Sequence, residues 1–336
     1  MINPHKRKTK IGFSLSRGGG GPSTFMKRMR QSIAKQKLAN TAYFFNPLTD
    51  INIYANIVRN PWNKPYIFRV DGITFDSALA AEETNRRNQP IFDGIDHAAG
   101  IVFQAAFCLE LISRFHGKPS APYTIINNGV NLEEFSPKGS NRREQLGIDD
   151  NELVFITSAK WRAHKRLNSI IDVFNAFQKV TGQQAHLVIL GALDQPVPNA
   201  QNIHIVGHIP PEDLAPWYRT GDICLFFSWL DHCPNTVVES LACGVPVICT
   251  NQGGTRELIE KTKGGIVVEA DTPFPFKPVN LYHPPVPDQN ALVKAIITMV
   301  EGRKKFAVCI DRTALDIDNV AQRYVDFVEK VYRKQL

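Results

Sequence analysis

Short apolar runs alternate with amphipathic stretches through the second half of the chain. LVFITSA (153–159), HLVILGA (186–192), IHIVG (203–207), DICLFFS (222–228), VPVICT (245–250) and GIVVEA (265–270) read as strands buried on both faces. Between most of them lie helical patterns: RLNSIIDVFNAFQKV, PEDLAPWYRT, PNTVVESLACG and GTRELIEK. Alternation of this kind predicts an α/β architecture, a parallel sheet covered by helices. IGFSLS, YIFRVDG, GIVFQAA and YTIINNG are strand candidates for a second such sheet in the first half. The pattern predicts two domains, 1–135 and 145–310, divided within the polar stretch 127–148, which holds Pro137 and Gly139. Helical patterns over about 289–303 and 311–333 close the chain, and 272–289, with six prolines, is expected to be an irregular surface segment.

Length and composition agree. A chain of 336 residues, 43% hydrophobic and 21% charged, has room for about two soluble domains with cores of their own. No apolar run approaches the ~20 residues that span a bilayer, and the N-terminus is not expected to be a secretory signal. The six cysteines lack CxxC or zinc spacing and are expected to be reduced, mostly buried thiols of a cytoplasmic protein.

Charge is distributed unevenly. Residues 1–40 hold ten Lys/Arg and no Asp/Glu, whereas the remainder holds 29 basic and 32 acidic residues. The N-terminal segment is therefore a candidate for an anionic partner. Phe25, Met29 and Ile33 recur at helical spacing among Lys27, Arg28, Arg30, Lys35 and Lys37. That pattern suits docking on an anionic membrane, the alternative being a helix that packs its apolar side on the first domain. No RNA-binding aromatics, zinc finger or basic zipper accompanies the basic residues, so no nucleic-acid partner is expected.

The stretch DHCPNTVVESLACGVPVICTNQGGTRELI (231–259) concentrates candidate chemistry. Asp231 follows the strand DICLFFS. Pro234 suits the first turn of a helix, Gly244 the position past its end, and Glu239 falls about one turn inside. The N–H groups of Asn235, Thr236 and Val237, with the helix dipole, make a candidate anion site at the carboxyl end of a parallel strand. Two carboxylates beside such a site suit a phosphate joined to a hydroxyl-rich group, as in a nucleotide sugar. In SAKWRAHKRLNSIIDVF (158–174), Lys160 and Lys165 bracket a loop at another strand end and can converge on one anion. A cation ~4 Å from a leaving phosphate contributes about 4 kcal/mol at an effective dielectric near 20.

The 231–259 stretch resembles the E-x7-E signature of glycosyltransferase family 4, retaining enzymes of the GT-B fold, with the flanking P-N-x-x-x-E-x-x-x-x-G-x-P-V and G-G-x-x-E patterns; Glu257 takes the last acidic place. The resemblance implies that Asp231, where the family usually has Glu, contacts the donor hexose, and that Glu239 contacts the ribose. Lys160, where Arg is usual, and Lys165 would neutralise the diphosphate. IHIVGHIPPEDL resembles the segment whose backbone holds the base, around Gly207 to Ile209. Gly20 and Gly21, in the glycine run after the first strand, would face the diphosphate and acceptor. Asp71, after the strand YIFRV, stands nearest to the family's usual His beside donor sugar and acceptor.

By this resemblance the chain has two Rossmann-like domains facing across a cleft, with 311–336 packing back on the first, and closure excluding water. The expected reaction moves a hexose from a nucleotide-diphosphate sugar to an acceptor hydroxyl, with retention and with no metal or other cofactor. The acceptor expected is a lipid-linked or growing glycan of surface polysaccharide assembly, at the inner face of the cell membrane. Asp316 and Asp318 mimic a metal-binding DxD but are expected to form a solvated helix face. A sugar-nucleotide-binding module without transfer activity is the alternative, since Asp231 and Lys160 depart from the usual residues.

Overall fold

The computed structural model describes residues 7–14, 21–43, 46–55, 57–60, 62–194, 196–197 and 202–334; the Tyr43 side chain is outside the description. Along the chain run β1 (Lys10–Phe13), α1 (Gly21–Lys35), β2 (Asn40–Tyr43), β3 (Ile51–Ala55), β4 (Tyr66–Val70), α2 (Ala81–Asp96), β5 (Gly100–Phe103), α3 (Ala106–Phe115) and β6 (Tyr123–Ile125). Next come α4 (Arg143–Leu146), β7 (Leu153–Ser158), α5 (Leu167–Thr181), β8 (Ala185–Leu190), β9 (Ile203–Gly207), α6 (Leu214–Tyr218), β10 (Ile223–Phe226) and α7 (Asn235–Ala242). The chain closes with β11 (Val247–Thr250), α8 (Thr255–Thr262), β12 (Gly265–Val268), α9 (Gln289–Cys309) and α10 (Ile317–Lys334). It divides into two compact units, one of residues 1–131, 276–278 and 316–336, the other of 132–275 and 279–315.

In the first unit the strands pair in parallel in the order β2-β1-β3-β4-β5-β6. The pattern of apolar runs missed β2 and β3, which are short and carry Asn40, Thr41 and Asn52. Asn52 is fully buried, with its side chain over Gly12; a Cβ on Gly12 would lie 2.0 Å from the Asn52 amide oxygen. Helix α2 was equally hidden: it is polar, contains Pro90, and buries only Asn88, Gly94 and Ile95.

The apolar stripe of α1 is core. Phe25, Met29 and Ile33 are fully buried, in one cluster with Tyr324, Val325 and Val328 of α10. Phe25 sits against the Tyr324 ring at 5.9 Å and under the Arg69 guanidinium at 4.5 Å. Membrane docking through that stripe is corrected accordingly: burial of large apolar side chains inside the unit outweighs an interfacial role. Lys27, Lys35 and Lys37 remain exposed. Asp316 and Asp318 also differ from the expected solvated face. Asp316 accepts the Asp318 N–H (2.9 Å) at the start of α10, and Asp318 accepts the Ser32 hydroxyl of α1 (2.6 Å).

In the second unit the order is β12-β11-β10-β7-β8-β9, again all parallel. Its core joins Phe155, Phe174, Leu187, Leu225 and Ile296. Five cysteines are buried and Cys309 is exposed, all free. Burial pushes the Cys224 and Cys243 thiols up to about 12, so neither is a thiolate near neutrality. Among the described residues no helix is long and apolar enough to cross a membrane.

Truncating Phe25 to Ala is expected to cost about 3–5 kcal/mol in denaturant unfolding, whereas Lys27→Ala stays within about 0.5 kcal/mol. A near-neutral Phe25→Ala would remove α1 from the core.

Candidate functional site

A parallel sheet brings all its strand ends to one edge, and the polar side chains of the second unit gather there. After β10, Ser228 to Cys233 form a loop fixed on two sides. The Trp229 N–H donates to the His164 carbonyl (2.8 Å), and the Gly254 N–H donates to the Asp231 carbonyl (2.8 Å). Gly253 has φ +87°, and a Cβ there would meet the Asp231 carbonyl oxygen at 2.5 Å. The Gly-Gly pair of the motif is thus a seat for the backbone of Asp231.

The Asp231 carboxylate pairs with the Lys165 ammonium, the two side chains being 18% and 19% exposed. It also accepts the Ser228 hydroxyl (3.2 Å) and the His232 N–H (3.0 Å). Burial alone would raise its pKa; the Lys165 ammonium, with His232 and His164, outweighs that and holds it below the ordinary 3.8. Burial keeps His232 below its usual range despite Asp231.

Lys165 ends a single 3-10 turn, Ala163–Lys165. Lys160 is exposed and makes no ion pair among the described residues, whereas Lys165 pairs with Asp231.

Helix α7 starts one residue later than expected. Pro234 is its N-cap (φ −71°, ψ 126°), and its carbonyl accepts the N–H groups of Val237 (3.2 Å) and Val238 (3.3 Å). The Val237 N–H is therefore committed within the helix and leaves the proposed anion site. The Thr236 hydroxyl donates to the Ser158 carbonyl at the end of β7 (3.0 Å), tying α7 to the neighbouring strand. Asn235 is half-buried beside it. Glu239 is 4% exposed and accepts the Tyr218 hydroxyl at 3.0 Å. Gly244, past the helix end, has φ +79°.

At the end of β9, Gly207 has φ +83° with open space where a Cβ would stand, and its carbonyl accepts the Gly191 N–H (2.6 Å). Ile209 is half-buried two residues on. Glu257 lies in the first turn of α8.

Sequence reasoning missed Arg166. It is left-handed (φ 56°, ψ 43°) between the 3-10 turn and α5, and its guanidinium binds Asp271 through two bonds of 2.8 and 2.7 Å. Both side chains are essentially buried. The only sequence signal was position: Arg166 directly follows the candidate Lys165. Nothing marked Asp271.

In the first unit, Asp71 follows β4. Its Oδ1 takes both the Arg69 guanidinium and the Gln104 amide (2.8 Å), and Oδ2 has no hydrogen-bond partner among the described residues. Arg69 is fully buried and also donates to Asn128 (2.8 Å). Arg69 and Gln104 were not anticipated. Gly21 opens α1 and is exposed; Gly20 lies outside the described residues. Among the described residues no group of His, Cys, Asp or Glu is placed to hold a metal ion.

Two Rossmann-like units of parallel sheet define a fold of the α/β GT-B class. The sucrose-phosphate synthase of Thermosynechococcus elongatus shares it with TM-score 0.71 and 14% identity, over 98% of this chain and 100% of that one. Anabaena HepE in complex with UDP-glucose does so with TM-score 0.68 and 14% identity, over 96% and 100%. More narrowly, residues 140–274 match the family model for Glycosyl transferases group 1. In sequence, the chain is 24% identical to the spore coat protein SA of Bacillus subtilis (52% of each chain). It is 25% identical to the alpha-monoglucosyldiacylglycerol synthase of Acholeplasma laidlawii (44% of this chain, 41% of that one). The chain spans about half the length of the curated relatives it matches.

Two outcomes follow. Asp271→Ala strands a buried guanidinium and is expected to cost about 3–5 kcal/mol in urea unfolding; a small loss would mean the pair is solvated. Because the Asp231 carboxyl titrates lower folded than unfolded, its pairing adds stability above pH 3.8, lost as pH falls through the folded value. Asp231→Asn is therefore expected to lower Tm at pH 7 and flatten the decline of Tm between pH 5 and 3; an unchanged acid limb would refute the pairing.

Proposed function

We propose that the chain is a retaining glycosyltransferase whose second unit holds a nucleotide-diphosphate sugar. The observation that carries this is the Lys165–Asp231 pair beside the start of α7, within the residues that match the Glycosyl transferases group 1 model. Glu239 lies one helical turn further on. A half-buried ammonium paired with a carboxylate offers a cation that can turn to a diphosphate and an acceptor oxygen for a sugar hydroxyl. The acceptor oxygen bonds to the anomeric carbon as the bond from that carbon to the β-phosphate oxygen breaks, and the acceptor's proton passes to the departing phosphate oxygen. Lys165 stabilises the negative charge of the leaving diphosphate, and exposed Lys160 is free to turn toward it. Glu239 accepts from the ribose hydroxyls, Asn235 and Thr236 from the helix start bind the phosphate side, and the backbone of Gly207 to Ile209 takes the base. No step in this scheme requires a metal or other cofactor.

The complex of HepE with UDP-glucose supports a nucleotide-sugar donor. The synthase name of the Acholeplasma relative supports a lipid-linked or glycan acceptor. Asp71, with one carboxylate oxygen clamped, is the group proposed to orient the acceptor hydroxyl. The exposed lysines of α1 are proposed to meet an anionic membrane surface through charge alone, at the cytoplasmic face.

UDP, GDP, ADP and their sugar conjugates test this by thermal unfolding. At 100 times its dissociation constant a ligand adds about 2.7 kcal/mol, a shift of several degrees for domains of this size. One base is expected to give the shift and Glu239→Ala to lose it. No shift with any nucleotide, in folded protein, would overturn the donor site; binding without turnover would make the chain a sugar-nucleotide-binding module.

A further inference from the structure

Tyr218 is the last residue of α6, a short helix that links the end of β9 to β10. It is 1% exposed, its ring lies 6.3 Å from that of Phe135, and its hydroxyl donates to Glu239 Oε2 at 3.0 Å. A buried phenol must find an acceptor, and a buried carboxylate needs donors; here each meets the other's need. Burial, and then the Glu239 charge, push the Tyr218 hydroxyl well above its usual range, so it remains a donor near neutrality. Glutamate has three side-chain torsions, the last of them broad, whereas tyrosine is a stiff ring with two. The phenol therefore sets where the carboxylate stands. A carboxylate has about four acceptor sites, so one phenol bond is compatible with further donors from a diol. The Thr236 hydroxyl bond to the Ser158 carbonyl fixes the same helix one turn earlier.

We infer that Tyr218 is a positioning residue: its buried hydroxyl orients Glu239 to accept the vicinal hydroxyls of the donor's ribose, so that ribose recognition depends on a side chain that does not touch the nucleotide. This rests on the donor-site reading of the second unit.

The test is Tyr218→Phe, which keeps the ring and removes the donor. Dissociation constants are measured by calorimetry for UDP, GDP and ADP and for their 2′-deoxy counterparts, on wild type, Tyr218→Phe and Glu239→Ala. In wild type the preferred ribonucleotide is expected to bind about tenfold more tightly than its 2′-deoxy form. In Tyr218→Phe its affinity falls five- to tenfold while that of the deoxy form hardly moves, so the discrimination collapses. Equal loss on both forms would mark a loosened fold, and full discrimination would mark a spectator phenol; either overturns the inference. If Glu239→Ala also binds both forms as wild type does, or if no nucleotide binds wild type, the donor-site reading falls and the inference with it. Loss of discrimination in Glu239→Ala but not in Tyr218→Phe sinks the inference alone. Should Tyr218→Phe not fold, Tyr218→Phe/Glu239→Gln, which leaves no bare buried charge, replaces it. It is expected to match Glu239→Gln alone in both constants; an added loss of affinity in the double variant would overturn the inference.

Discussion

A carboxylate removed from water must be met by a donor of matching strength, and this constraint organises both sets of strand ends. Moving a bare carboxylate into a low-dielectric interior costs on the order of 20 kcal/mol before relaxation. Asp231 is met by Lys165, Asp271 by Arg166, Asp71 by Arg69 and Gln104, and Glu239 by Tyr218. The four solutions differ in kind. A lysine gives a point charge on a flexible stem, able to move with a substrate. An arginine gives a planar fork that locks geometry, and a phenol orients without adding charge. The lysine meets the acid of the loop before α7, and the arginine fork meets the acid that follows β12.

Legibility followed the same physics. Strands β7, β8, β10 and β11 were readable because a parallel strand buried on both faces is an unbroken apolar run; the edge strands β9 and β12 kept apolar runs although they are only partly buried, with Ile205 exposed. Strands β2 and β3 were not, since Asn40 and Asn52 interrupt the run and burial of Asn52 depends on the bare backbone of Gly12, a feature of pairing rather than of local pattern. Helix α2 buries too little apolar surface to show a stripe. The start of α7 was displaced by one residue because proline is tolerated both at the cap and in the first turn, and only ψ separates the two.

The candidate site was legible where one contiguous stretch carried it. Asp231, Pro234, Glu239 and the Gly-Gly pair come from a single run, and Lys165 from a second. Their partners were not. Tyr218 lay in a helical pattern, Arg166 in the basic stretch after Lys165, and Arg69 within a strand candidate, none of them marked by its pattern. Each owes its role to a contact from elsewhere in the fold. The stripe of Phe25, Met29 and Ile33 shows the converse limit: the same amphipathic spacing serves a membrane or a core, and only the presence of Tyr324 and Val328 decides.

The Arg166–Asp271 pair joins residues 105 positions apart, both buried, with Arg166 in a backbone region that glycine enters at least cost. Either residue changed alone leaves a bare charge inside the unit, so each stands as a barrier to drift in the other. Sequences descended from a common ancestor should cross that barrier as a pair: a glycine at the first position ought to travel with a neutral residue at the second. A lineage that has acquired the fork is then held to it, with fewer single steps open at this turn than at the exposed Lys160 a few residues before it.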